Sequence, residues 1–290
     1  MFGQNEIVGR SFFKDAPANS LLVTSLFFTI QGEGPFRGEP AFFLRLAKCN
    51  LACSFCDTFF DQGTWMTFQE IDAAIEQTLG SYFDFNIPAW ADGAMAESGQ
   101  WIKARKMILV ITGGEPALQR VNLNGFISYT CAQFDNVQIE SNGSVNLQID
   151  EPITIVVSPK CNVADHYILP SSYTLWAANC LKFVVSADPS SPYFTIPLWA
   201  QDWARQTGKK IFISPMNIYN TLPQKAKELR ATKQSITLEE RSTADEVISF
   251  WEPGLLDMKA NQANHEYAAK YSLQHGYTFN LQIHLFASMA

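Results

Sequence analysis

Three of the six cysteines, Cys49, Cys53 and Cys56, stand in a C-x3-C-x2-C spacing that puts three thiols on one short loop. Thiolate is the softest ligand a protein offers, and three so close in sequence can ligate one metal centre. Structural zinc usually takes four ligands arranged as two Cys or Cys/His pairs, and no second pair follows at a suitable distance. Zinc stays open as an alternative, with Cys161 or His166 as a remote fourth ligand. Four cysteines are the usual complement of a 4Fe-4S cluster, so a loop of three leaves one iron open, and an open coordination position separates a reactive centre from a structural one. Cys131, Cys161 and Cys180 are scattered and are expected to be small buried hydrophobes.

The polar motifs that accompany this loop each follow an apolar run. The cysteine loop comes after residues 41–47 and Thr112-Gly-Gly-Glu-Pro116 after 107–111. Glu140-Ser-Asn-Gly143 follows 137–139, Ser158-Pro-Lys160 follows 153–157, and Ser214-Pro-Met-Asn217 follows 211–213. Each taken alone is an ordinary turn, since Gly, Pro, Ser and Asn are turn residues. In a parallel α/β sheet or barrel, however, the carboxyl ends of the strands share one rim, and sites form there. Five motifs spread over more than a hundred residues are therefore expected to converge.

The elements that must position them alternate. Strand-like runs fall at 21–30, 41–47, 107–112, 137–140, 153–158, 181–185, 211–214 and 277–284. Between them, Thr67-Phe-Gln-Glu70 is a capping box opening a helix over 71–79, Pro116 suits a first helical position, and 259–274 ends at Gly276. This alternation predicts an α/β fold with a largely parallel sheet covered on both faces. A single domain over 1–290 is expected, with the least periodic stretches, about 80–105 and 219–254, as insertions. His166, His265 and His275 read as loop or helix-surface residues.

Composition narrows the partners. With 21 Lys plus Arg against 28 Asp plus Glu the net charge is −7, so direct nucleic-acid binding is not expected. No apolar run suits a signal peptide or a membrane span, which leads us to expect a cytoplasmic protein in which the cysteines are not a disulfide framework.

The C-x3-C-x-Φ-C form, with Phe55 before the third cysteine, resembles the radical S-adenosylmethionine superfamily, and Gly113-Gly-Glu-Pro116 reinforces the likeness. Phe28-Thr-Ile-Gln-Gly-Glu-Gly34, Phe43-Leu-Arg-Leu46, Cys56-Asp-Thr58, Ile111-Thr-Gly-Gly-Glu-Pro116, Val157-Ser-Pro-Lys160 and Gln282-Ile-His284 narrow it further. Together they look like the 7-carboxy-7-deazaguanine synthase family of queuosine and 7-deazaguanine biosynthesis. The resemblance is dense over 25–58 and 107–160 and thins beyond. It implies a partial parallel barrel of the radical S-adenosylmethionine type, of about six strands against the eight of a full barrel. It also implies a homodimer and an electron donor such as flavodoxin.

Residue by residue, the resemblance implies that Cys49, Cys53 and Cys56 hold a 4Fe-4S cluster whose open iron binds S-adenosyl-L-methionine. Phe55, Cys56, Asp57, Gly114, Glu115, Ser158, Pro159, Lys160, Ser214, Pro215, Met216 and Asn217 match cofactor-contacting positions. The substrate implied is a small pterin, 6-carboxy-5,6,7,8-tetrahydropterin, whose ring contracts with loss of ammonia. Ile30, Gln31, Gly32, Arg45 and Thr112 match its contacts, and Ala290 does so through its terminal carboxylate. Arg45 suits the substrate carboxylate because a guanidinium grips it bidentately, and its place inside an apolar strand argues against a surface ion pair. Thr58 matches a magnesium ligand, an oxygen donor for a hard cation. Two other classes stay in view: a glycyl-radical activase, which has no need of Gln31-Gly-Glu-Gly34, and a zinc-binding interaction module.

Overall fold

The computed structural model describes residues 6–53, 55–56, 58–82, 94–95, 101–102, 105–220 and 254–287, those at 81–82, 94–95, 101–102 and 105–106 by backbone alone. Most of both expected insertions lies outside these residues. The chain enters through β1 (Ser20–Ile30), β2 (Pro40–Leu46) and β3 (Thr64–Thr67). It continues through β6 (Arg105–Gly113), β7 (Phe134–Ser141), β8 (Thr154–Val157), β9 (Cys180–Val185), β10 (Lys210–Pro215) and β11 (Thr278–Phe279). All nine belong to one sheet, while β4 (Ala94–Met95) and β5 (Trp101–Ile102) form a separate antiparallel pair.

From β2 through β6, β7, β8, β9 and β10 to β11, neighbours are parallel. At the other side, β1 pairs antiparallel with both β2 and β3. The linker of residues 31–39 explains this reversal, because a parallel crossover needs a dozen residues or more and an antiparallel return does not. The expected run over 277–284 is corrected: only Thr278–Phe279 pairs as strand, and Ile283–Phe286 forms a short helix. Asn280 explains the break. Its side chain accepts from Gly34 N–H (2.9 Å) and donates to Ser214 Oγ (2.8 Å) on β10, so it ties the end of β11 to the segment after β1.

Those contacts also curl the sheet. Gly34 and Gly32 follow β1, beside one end of the strand order, whereas Asn280 follows β11 at the other. Gly32 O accepts from Ile283 N–H (3.2 Å), and Arg37 Nη1 donates to Phe279 O (3.1 Å). Loops bridge where strands would close a full barrel, which makes this a partial (β/α) barrel.

Helices pack outside. The capping box forms at α1 (Phe68–Tyr82), where Thr67 N–H donates to Glu70 Oε2 (2.7 Å) and Glu70 N–H to Thr67 Oγ1 (3.2 Å). Pro116 opens a 3-10 turn, Pro116–Gln119, that leads into α2 (Arg120–Thr130). Then come α3 (Ser172–Ala177), α4 (Leu198–Thr207) and α5 (Met258–His275), the last stopped by Gly276 at φ 72°.

Strand alternation sorts the residues. Leu44, Leu46, Leu109, Ile111, Ile139, Leu181, Phe183 and Ile213 face the helices in one apolar cluster with Ile71, Leu123 and Phe126. Each such side chain contributes about 1.5–3 kcal/mol by leaving water. The inner face divides along its length. Near the strand starts it is apolar, with Ala41, Ile108 and Val110 in one group and Val156, Cys180 and Phe212 in another. Towards the strand ends it turns polar, and there the site forms.

Candidate functional site

A cleft of about 250 Å³ opens at the carboxyl ends of the parallel strands. All five rim motifs reach it. Its walls carry Cys49, Cys53 and Cys56, then Thr112 to Gly114, then Glu140 to Asn142, then Ser158 and Lys160, and finally Ser214, Pro215 and Asn217. The strand register explains the substrate-side residues. Arg45 pairs across β2 and β6 with Thr112, and both face inward. The Arg45 guanidinium lies 4.8 Å from the centre of the Phe27 ring, which itself stacks on Phe43. β1 runs against the parallel set, so its end lies beside the start of β2 and brings Ile30, Gln31 and Glu33 in from the opposite direction.

The cysteine loop is held by its neighbours more than by itself. After β2 the chain turns at Lys48, a buried residue with φ 73°, in the left-handed region non-glycine residues avoid. Lys48 N–H donates to Phe60 O (2.7 Å), closing the loop at its base, and Val8 N–H donates to Cys49 O (2.9 Å). The Gly-Gly-Glu-Pro turn lies directly against this turn: Gly114 N–H donates to Leu46 O and Glu115 N–H to Lys48 O, both at 2.9 Å. A Cβ on Gly114 would sit 1.8 Å from Lys48 O. Only glycine permits the approach.

Glu115 is fully buried and fully engaged. Its carboxylate accepts from Ala117 N–H (2.9 Å), Ser141 Oγ–H (2.7 Å) and Asn142 N–H (2.7 Å), so it welds the ends of β6 and β7. Burial pushes its pKa up, and these bonds partly offset that. Asn142 passes the connection on, donating to Asn50 Oδ1 (3.1 Å) and, at 3.9 Å, to Cys49 Sγ. Gln119 completes the anchoring through bonds to Leu22 N–H, Leu22 O and Ala47 O.

The donor set fits an iron–sulfur cluster one ligand short: three thiols, none in a disulfide, on one cleft wall, with Phe55 beside them edge-on to Tyr193 at 5.0 Å. Among the described residues no three thiol, imidazole or carboxylate groups are gathered tightly enough to hold one ion. Burial pushes the Cys49 thiol up to about 12 and raises that of Cys53, which nearby Lys160 partly counters. A coordinating metal deprotonates such thiols outright.

Of the other sequence-derived positions, Thr58 lines the cleft and its carbonyl accepts from Cys56 Sγ at 3.5 Å. Lys160 turns back to Ser158, bonding its O (2.7 Å) and Oγ (2.6 Å). Pro159 and Met216 are buried away from the cleft lining, Met216 being tied by Asn264 Nδ2 to its carbonyl (2.7 Å). Gly32 packs under His284, where a Cβ would meet the ring at 1.8 Å. Asp57 and Ala290 lie outside the described residues. Two expectations are corrected: Cys131 and Cys161 are only half-buried, unlike Cys180, and His265 is drawn in beside Asn217 Oδ1 (3.2 Å). His166 and His275 are exposed as expected.

Glu33, Lys182 and the side chain of Glu140, to which no sequence motif gave a role, also stand on the cleft wall. Lys182 Nζ donates to Glu33 Oε2 (2.5 Å) and Glu140 Oε2 (2.8 Å). Burial disfavours its ammonium, but the two carboxylates outweigh that and raise its pKa. The signal was present: a lone charge inside an apolar strand, as at Arg45.

A mostly parallel α/β sheet with three cysteines and a Gly-Gly-Glu-Pro turn on one rim defines a radical S-adenosylmethionine enzyme. No family model matches the chain. Over 200 residues it is 32% identical to the 7-carboxy-7-deazaguanine synthase of Rhodospirillum rubrum, covering 68% of this chain and 71% of that protein. Over 186 residues it is 33% identical to that of Rickettsia prowazekii, covering 64% and 69%. The chain belongs to the 7-carboxy-7-deazaguanine synthase family. The crystal structure of QueE from Escherichia coli shares the fold, with a TM-score of 0.53 at 18% identity over 95% of this chain and 99% of that one. No helix among the described residues is long and apolar enough to cross a membrane.

Proposed function

We propose that this enzyme converts 6-carboxy-5,6,7,8-tetrahydropterin to 7-carboxy-7-deazaguanine, with loss of ammonia. The observation that carries this reading is one cleft whose walls hold the three thiols, the Gly-Gly-Glu-Pro turn, Gln31 and Arg45 together. Cys49, Cys53 and Cys56 would hold a 4Fe-4S cluster, which with S-adenosyl-L-methionine supplies the one-electron chemistry that removes a hydrogen atom from the substrate.

The chain's own residues bind and orient. Arg45 grips the substrate carboxylate through paired N–H donors, with its plane steadied by Phe27. Gln31 both donates and accepts at the edge of the pterin ring. Thr112 adds a hydroxyl beside Arg45, and Thr58 offers an oxygen donor to Mg2+. Glu115 keeps the rim turns in register, so that Gly114 presents backbone to the amino group of S-adenosyl-L-methionine. Ser158, Lys160, Ser214 and Asn217 complete the cofactor side. A homodimer and a flavodoxin-like donor accompany this reading, as do the single domain with its two insertions and the contacts of Asp57 and Ala290.

The test is anaerobic reconstitution with iron and sulfide, followed by addition of S-adenosyl-L-methionine, reductant, Mg2+ and the carboxypterin. Mass spectrometry is expected to find the deazaguanine product, and cleavage of S-adenosyl-L-methionine without it would sink the substrate assignment. Cys53→Ala is expected to lose the cluster absorbance and all turnover; a variant that keeps both refutes the ligand set.

A further inference from the structure

The Lys182 contacts belong to a closed circuit. Glu140 accepts Lys182 on Oε2, and on Oε1 it accepts Gln31 Nε2 (3.2 Å) and Gln138 Nε2 (3.0 Å). Gln31 Oε1 accepts Glu33 N–H (3.1 Å), and Glu33 Oε2 returns to Lys182. Three separate elements are joined: the segment after β1, the end of β7, and the middle of β9. The side chains of Lys182, Glu33 and Glu140 are 8%, 13% and 16% exposed, so the charges are largely withdrawn from water.

A buried ion cluster is weak evidence for stability, since apolar residues in place of all its members are often neutral or stabilising, and position 182 sits between the apolar Leu181 and Phe183. What the ring supplies is orientation. A flipped Gln31 amide would set its carbonyl against the Glu140 carboxylate and its NH2 against an N–H, so the circuit admits one orientation. One Nε2 hydrogen and one Oε1 lone pair are then left over at a residue that lines the cleft. Without Lys182, Glu33 and Glu140 would face each other uncompensated and move apart, releasing Gln31.

We infer that Lys182 is a positioning residue for substrate binding, which grips Glu33 and Glu140 and thereby fixes the Gln31 amide and the Glu140 carboxylate on the cleft wall. This rests on the reaction proposed above. Lys182→Met keeps the side-chain length and removes the charge. Three quantities are measured on reconstituted protein: the KM and kcat for the carboxypterin, its equilibrium Kd in the absence of reductant, and Tm. KM and Kd are expected to rise by about tenfold in the folded fraction, with a smaller change in kcat, and Tm to fall because two largely buried carboxylates lose their partner. A purely structural lysine would lower Tm and the active fraction while leaving KM and Kd unchanged, and that result overturns the inference. Should Lys182→Met not fold, Glu33→Leu removes the acceptor, keeps the Lys182–Glu140 pair and opens the circuit. Kd is then expected to rise by about threefold at unchanged iron content, and an unchanged Kd overturns the inference. A parent enzyme that yields no deazaguanine in the same assay defeats the reaction itself, whereas an active parent matched by Lys182→Met defeats only the role of Lys182.

Discussion

On β2, β6, β7, β9 and β10, residues two apart share a face, and the two faces carry opposite chemistry. Outward, Leu44, Ile111, Ile139, Phe183 and Ile213 are buried among helices and make no polar demand. Inward, on the same strands, stand Arg45, Thr112, Glu140, Lys182 and Ser214. A one-residue slip would exchange the two sets, so the packing that stabilises the sheet also aims the chemistry. The outer face tolerates any apolar arrangement that fills its volume. The inner face depends on particular atoms: a guanidinium over a ring, an ammonium between two carboxylates, a glycine against a carbonyl.

Three substitutions sharpen that contrast. The largest effect on stability is expected from Phe183→Ala on the outer face, which should cost about 3–5 kcal/mol in denaturant unfolding. The KM of the folded fraction should stay at its parent value, and a raised KM would show that the two faces are coupled. Gly114→Ala acts at the rim, where the new methyl displaces Lys48 and with it the start of the cysteine loop. A loss of about 1–3 kcal/mol is expected. Iron retained after reconstitution should fall out of proportion to that loss, and full iron content in a destabilised protein would break the link between the two loops. Thr67→Ala removes one half of the α1 capping box, far from the cleft, and should cost about 1 kcal/mol in thermal unfolding with kcat and KM unchanged.

Arg45 and Lys182 show how far the sequence could be followed. Both are single cations inside apolar strands, yet only Arg45 drew notice, because its strand leads straight into the cysteine loop and a resemblance gave it a partner. Lys182 has its partners 149 and 42 residues away, at Glu33 and Glu140, and no local pattern announces them. Glu115 differs again. Its motif was plain, but the burial of its carboxylate under Ser141 and Asn142 depends on β6 and β7 lying side by side. The tail misled for a related reason. An apolar run at 277–284 looks like a strand by composition, while Asn280 bonds to Gly34 across the barrel mouth and to Ser214 on the neighbouring strand.

By itself the sequence determined what depends on near neighbours along the chain. The thiol spacing, the capping box at Thr67 and Glu70, the αL stop at Gly276 and the alternation of apolar runs all act within a few residues, where backbone geometry leaves little choice. Tertiary structure alone decided the order of the strands, how loops close an open barrel, and which distant carboxylates meet Lys182. Those outcomes turn on pairing order and on the burial of charge, free energies that do not exist until residues far apart in sequence share one dry space.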